Sequence, residues 1–175
     1  MKNKNLAFTI NYNGLARSLN TKIGIMAPFV GGIPSQAELN PNMYNAIWDT
    51  GATGSVITAR VAVDLGLKPI GMTRVSTAGG MVDQNEYLVS IFLPNRVFVP
   101  NVRVTEGKLS GIDILVGMDI ISLGDFCVTN HLGRTVLSFR MPSSHTIDYV
   151  KEHQISQLPR AQRREMEKKL RKEQQ

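Results

Sequence analysis

The apolar positions of this chain fall in short runs between turn-forming residues, the spacing of strands rather than of long helices. Leu6-Ala-Phe-Thr-Ile-Asn-Tyr12 alternates loosely, Asn13-Gly14 marks a turn, and Thr21 to Met26 is apolar again. This predicts a strand, a connection and a second strand. Residues 28–43 are rich in Gly, Pro, Asn and Ser and read as a loop. Ala46-Ile47-Trp48 is a short buried strand running into Asp49. Thr58 to Leu67 reads as a short helix capped by Thr58, with Val61, Ala62 and Leu65 on one face and Gly66 as a left-handed terminator. Residues 73–77 and 86–93 predict two strands around the turn Ala78-Gly79-Gly80-Met81. Residues 96–104 predict a strand that Pro100 confines to a sheet edge. Ile112 to Val116 is an apolar run interrupted only by Asp113 and ended by Gly117, and Met118 to Leu123 has the pattern of a helical turn. Residues 126–128 and 135–139 flank a hairpin connection at residues 130–134.

Composition changes this picture mainly at the C-terminus. A length of 175 residues with 42% hydrophobic content accommodates one packed domain and a tail. From Pro159 onward there are seven basic and three acidic residues, so most of the formal charge of +6 sits there and the body is nearly neutral. Glu165–Lys169 and Glu167–Arg171 are spaced for i,i+4 pairs, and only Met166 and Leu170 are apolar, which predicts an exposed basic helix. The expected division is a domain over residues 1–145 and a helical basic tail over residues 146–175. Charge confined to a tail is poor evidence for a nucleic-acid-binding domain, and nucleic acid is not an expected partner. The single cysteine, Cys127, excludes an internal disulfide framework and reads as a structural thiol. No run approaches the ~18 apolar residues of a membrane span, and no signal peptide is recognisable, so the expectation is a soluble cytoplasmic protein without a membrane partner.

The chemistry concentrates at Ile47-Trp48-Asp49-Thr50-Gly51-Ala52. A carboxylate at the end of a buried strand enters a tight turn, where Gly51 allows close approach and Thr50 offers a hydroxyl. Some 65 residues later comes Ile114-Leu115-Val116-Gly117, followed by Met118-Asp119. The two elements, with a glycine-bearing hairpin between them, resemble the retropepsin-like (retroviral-type) aspartic peptidases, and residues 49–67 are more similar to the non-viral members. The resemblance covers roughly residues 46–141. It implies a mainly β fold with short helices, a closed single-lobe acid-protease barrel, here followed by the charged C-terminal helix. It also implies Asp49 as the catalytic residue, with Thr50, Gly51, Ala52 and Gly117 supporting the active-site loop. The residues Ala78, Gly79, Gly80 and Met81 would form a substrate-binding flap.

Metal-free peptide hydrolysis of this kind needs two carboxylates sharing one proton, one activating water and the other donating to the carbonyl oxygen. Asp-Thr-Gly occurs once and Asp-Ser-Gly does not occur, so the second carboxylate must come from a second copy. The expected function is an aspartic endopeptidase acting as a homodimer on a protein or peptide substrate, with no cofactor and no metal. The alternative is a weakly active or inactive module of the same fold that dimerises and binds peptides. Asp119 reads as a cap for the following turn or the partner of a base, and Asp83 as solvent-facing. His131, His145 and His153 lack the mutual spacing of metal ligands.

Overall fold

The computed structural model describes residues 6–29, 39–77 and 79–173. The chain divides into two compact units, Met1–Pro142 and Ser143–Gln175. The first unit carries the strands β1 (Leu6–Asn11), β2 (Leu19–Met26), β3 (Asn42–Trp48), β4 (Val56–Ile57), β5 (Gly71–Thr77), β6 (Gly80–Leu93), β7 (Val97–Glu106), β8 (Ile114–Val116), β9 (Asp125–Thr129) and β10 (Val136–Met141). It also holds two short helices, α1 (Ala59–Asp64) and α2 (Met118–Ile121). Part of the predicted loop at residues 28–43 lies outside the described residues, and its last two residues already belong to β3.

The larger sheet runs β2-β3-β8-β4-β7-β6-β5, and β2 pairs with β6 as well, so six strands close into a ring from which β5 extends as a hairpin arm. Alternation along β2 sends Thr21, Ile23 and Ile25 inward, where they meet buried Ala46, Val89, Ile91, Ile114 and Val116. The ring closes at Gly24, opposite Phe92. A Cβ on Gly24 would stand 2.7 Å from Pro41 Cβ and 3.2 Å from Phe92 Cβ, so the seam requires a residue without a side chain.

The smaller sheet runs β1-β10-β9. The strand predicted at residues 6–12 therefore does not pair with its successor in sequence: β1 pairs with β10, whose partner residues lie some 130 positions away. Cross-strand rows Phe8–Phe139–Phe126 and Ile10–Leu137–Val128 form its apolar face. Trp48, at the end of β3, sits against that face, with ring centroids 5.9 Å from Phe8, 5.5 Å from Phe139 and 5.7 Å from Phe126. Its indole Nε1 donates to Thr21 Oγ1 at 2.9 Å, the polar partner a buried tryptophan needs.

One local expectation holds and one is corrected. Over residues 97–104 β7 pairs with β6 alone, so the stretch that carries Pro100 is a sheet edge as expected, and β4 joins β7 only at Thr105 and Glu106. The register slips so that Pro100 and Asn101 together oppose Ser90, with Asn101 at φ +52°. Proline is tolerated there because a bulge has no ladder bond for it to break. Thr58 precedes α1 but makes no side-chain cap, and its buried hydroxyl has no partner, while its backbone N–H is held by the carbonyl of Asp113 at 3.0 Å. Gly66, at φ +60°, follows the helix end as expected.

The second unit contains α3 (Tyr149–Ser156), which the sequence reading did not foresee, and α4 (Arg160–Glu173), which it did. Asp148 caps α3 by accepting the Lys151 N–H at 3.0 Å. No helix among the described residues is long and apolar enough to cross a membrane.

Candidate active site

β8 lies between β3, which it joins in parallel, and β4, which it joins antiparallel. The loop from β3 to β4, residues 49–55, therefore starts and ends on the two neighbours of one strand and must arch over that strand's C-terminal end. The ladder continues past β3: Asp49 N–H donates to Val116 O at 2.9 Å. Asp49 is half-buried. Its Oδ1 accepts the Gly51 N–H at 2.8 Å, a bond that orients the carboxylate from within its own turn. The turn is closed by Ala52 N–H donating to Asp49 O at 3.3 Å.

The far side of the loop rests on the segment after β8. Met118 N–H donates to Ala52 O at 2.8 Å and Asp119 N–H to Thr53 O at 3.1 Å. Gly117 lies where these backbones cross. A Cβ there would come within 2.6 Å of the Gly54 carbonyl carbon and oxygen and 3.0 Å of Ala52 O, all of them backbone atoms. Asp49, Thr50, Gly51, Ala52 and Gly117 are thus brought into one assembly. Thr50 is exposed, and its hydroxyl has no partner among the described residues.

Of the hairpin residues, Ala78 lies outside the described residues, Gly79 is in the turn, and Gly80 and Met81 open β6. Gly80 has φ +112°, pairs with Thr77 across the hairpin, and Met81 is 62% exposed. Arg74 and Asp83 face one another across the hairpin, with Arg74 Nε donating to Asp83 Oδ1 at 2.8 Å, so Asp83 is exposed but ion-paired. This hydrogen bond holds the Arg74 guanidinium above its ordinary value. The arm is attached to the ring through β6 and not through the Asp49 loop.

Two groups of residues escaped the sequence reading. Ser55, 1% exposed, donates its hydroxyl to Asp119 Oδ1 at 2.8 Å and its N–H to Asp119 Oδ2 at 3.0 Å, and its hydroxyl oxygen accepts the Gly117 N–H at 3.1 Å. Asp119 is accordingly engaged by the loop that carries Asp49, its Oδ1 also accepts the Ile120 N–H of its own turn at 3.0 Å, and no base pairs with it among the described residues. Asp113, also buried, accepts the Asn45 N–H at 3.1 Å and an Arg60 guanidinium N–H. Its backbone exchanges further bonds with Asn45 and Thr58, so one residue ties β3, β8 and the start of α1 together. Arg60 reaches over the Tyr44 ring at 5.7 Å, and its bond to Asp113 raises its pKa further. The available signal was the charge itself: an aspartate inside an apolar run is buried only with partners. Among the described residues no three His, Cys, Asp or Glu side chains cluster as metal ligands would.

A closed single-lobe barrel that presents one aspartate on a glycine-supported loop belongs to the acid-protease architecture. Residues 35–120, just under half of the chain, match the family described as Aspartyl protease. Over this segment the chain is similar to the aspartyl proteases. A comparison with curated proteins finds no match. Among solved structures, the chain is similar to the EIAV protease complexed with the inhibitor HBY-793, at 23% identity over 64% of this chain and 91% of that one, TM-score 0.45. It is similar to a retropepsin-like aspartic protease from Rickettsia conorii at 14% identity over 79% and 96%, TM-score 0.48. It is also similar to the retroviral protease-like domain of Ddi1 from Leishmania major at 17% identity over 65% and 82%, TM-score 0.41.

Proposed function

We propose that this protein is an aspartic endopeptidase whose active form contains two copies of the chain, each contributing Asp49. The observation that carries the reading is the Asp49 loop: a half-exposed carboxylate, oriented by the Gly51 N–H at 2.8 Å and present in a single Asp-Thr-Gly, beside an exposed Thr50 hydroxyl without a partner among the described residues. Across a two-fold axis the two carboxylates would share one proton. The ionised member takes a proton from a water as it attacks the scissile carbonyl, and the protonated member donates to the carbonyl oxygen. Protonation of both or of neither stops the reaction, so activity follows a bell in pH whose two limbs belong to the pair. Thr50 would bond across the axis to the other copy's loop.

The substrate is an extended peptide segment, because an extended backbone can add hydrogen bonds to strand edges while its side chains fill alternate pockets. The β5–β6 arm, with Gly79, Gly80 and Met81 near its end, would cover it. The test is hydrolysis of an unstructured protein by the purified chain and by Asp49→Asn, which changes charge with almost no change in volume. The variant should retain fold and assembly and lose turnover. Wild-type turnover in Asp49→Asn would overturn the reading.

A further inference from the structure

The β5–β6 arm leaves the ring as a ribbon of two strands. Residues 80–85 of β6 pair with β5 alone, and the ladder with β7 begins at Glu86, opposite Thr105. A two-stranded ribbon is marginal on its own, so its direction must be set where it departs from the ring. That point coincides with the place where β7 meets β4, Val56 pairing with Thr105 and Ile57 with Glu106. Two backbone bonds hold this junction to the end of the Asp49 loop and the strand that follows it. Thr105 N–H donates to Ser55 O at 3.2 Å and Gly107 N–H to Ile57 O at 2.9 Å. Glu106 lies between these two donors.

Tyr87 and Val104 are directly opposed and buried, so Asn85, two residues before the one, and Glu106, two residues after the other, share their face of the sheet. Glu106 Oε2 there accepts the Tyr87 hydroxyl at 2.7 Å and an Asn85 amide N–H at 3.4 Å. Tyr87 is 5% exposed, and Asn85 and Glu106 are half-buried, which strengthens the bonds relative to the same groups in water. No cation pairs with Glu106 among the described residues. Burial first, and the bond to Glu106 second, raise the Tyr87 pKa, which keeps the phenol a donor well above neutrality. The opposite face carries a rival tether, Arg103 to Glu86 at 3.1 Å, but the Arg103 side chain is 66% exposed and such a pair is weak.

We propose that Glu106 is a positioning residue of the peptidase, fixing the angle of the β5–β6 arm relative to the Asp49 loop by holding Tyr87 and Asn85 at the arm's root; the proposal rests on the peptidase reading above. Its side chain is bonded to the arm, and its flanking backbone is bonded to Ser55 and Ile57, the residues that follow the Asp49 loop. One residue thus refers the position of the arm to the position of the loop. A carboxylate suits the task, because a hydrogen bond to a charged acceptor is stronger and shorter than one to a neutral group. Glu106 itself touches neither the peptide nor the reacting atoms, and it acts through the arm. The arm binds and covers the peptide, while the Asp49 pair performs the chemistry. Loss of the tether should therefore appear in KM and leave the turnover of bound peptide nearly unchanged.

The experiment compares Glu106→Gln, Glu106→Leu and the double variant Glu106→Leu/Tyr87→Phe in the full chain. Two readouts are taken: kinetics on a quenched fluorescent peptide that spans a cleavage site mapped in an unstructured protein, and backbone hydrogen exchange. The double variant removes both partners at once and leaves no buried hydroxyl without an acceptor, so its stability should stay near that of wild type. In both Leu-bearing variants KM should rise roughly tenfold, the factor that one hydrogen bond to a charged group corresponds to, with kcat within about twofold of wild type. Exchange across residues 71–85 should accelerate, and exchange in β2 and β3 should not. Glu106→Gln keeps an acceptor oxygen for Tyr87 and should hold KM within about threefold of wild type. A purely structural role predicts another split: a smaller folded fraction, hence lower apparent kcat at unchanged KM, restored in the double variant. A double variant with wild-type KM and wild-type exchange in the arm overturns the proposal and leaves the peptidase standing. If the wild-type chain hydrolyses no peptide, the peptidase reading falls and the positioning role falls with it, while unchanged exchange in the arm would separately show that Glu106 does not hold the arm.

Discussion

Ser55 and Asp119, 64 residues apart, are locked together by two hydrogen bonds, hydroxyl to Oδ1 at 2.8 Å and backbone N–H to Oδ2 at 3.0 Å. The same hydroxyl oxygen accepts the Gly117 N–H at 3.1 Å, so one buried side chain joins the end of the Asp49 loop to Gly117 and Asp119, just past β8.

Removing that hydroxyl should loosen the loop. Ser55→Ala leaves the buried Gly117 N–H without its acceptor and removes one of the two donors to Asp119 Oδ1, at a cost of about 1–3 kcal/mol. Denaturant unfolding should show this loss with an unchanged dependence on denaturant. A Ser55→Ala protein as stable as wild type would mean that the junction contributes nothing.

Gly117→Ala should be worse than its size implies. The new methyl would fall 2.6 Å from the Gly54 carbonyl, and backbone cannot rotate aside as a side chain can. The loop must shift, with overpacking costs of about 1–3 kcal/mol. Peptidase turnover should fall by more than stability alone explains, because Ala52 and Thr53 are bonded to the same segment. Full turnover in a folded Gly117→Ala chain would contradict the close approach.

Asp113→Ala should destabilise more than Arg60→Ala. The first leaves the Asn45 N–H, now bonded at 3.1 Å, without its acceptor, at a cost of about 1–3 kcal/mol. The second removes a guanidinium whose side chain is 60% exposed and still leaves Asp113 bonded to Asn45. Urea midpoints of the two variants decide the order, and the reverse order would contradict it.

Alkali should unfold the protein through its tyrosines. Burial raises the pKa of Tyr87, helped by its 2.7 Å bond to Glu106, and burial also raises those of Tyr12 and Tyr44. A raised folded-state value means that the unfolded chain ionises first. The contribution is thus complete below about pH 10 and is lost as pH rises past the folded values. The unfolding midpoint should fall between pH 9 and roughly 11, and less steeply in Tyr87→Phe. An identical slope in both proteins would remove Tyr87 from the account.

What the sequence made legible was whatever depends on local order. Asp49, Gly51 and Gly117 announce themselves because a turn glycine and an apolar run with a terminal glycine are contiguous patterns. The basic helix after Pro159 was equally plain from its charge spacing. The failures were questions of pairing. β1 finds its partner in β10, far along the chain, and no local pattern distinguishes that from a hairpin with β2. The bulge at Pro100 could not be read locally because it depends on the opposing strand. Thr58 has a capping residue's identity and position, yet its hydroxyl makes no such bond. Ser55 and Asp113 act through partners 62 to 68 residues away, or through a neighbouring helix, and the fold had to be seen before their roles could be.

The most direct test of the central claim is the activity of mixed subunits. Asp49→Asn chains are co-refolded with wild type in varying proportion at fixed total concentration, and hydrolysis of an unstructured protein is measured. Each active site needs two intact Asp49 residues, so activity should fall as the square of the wild-type fraction. A strictly linear decline would show that one chain carries a complete site and would contradict the account.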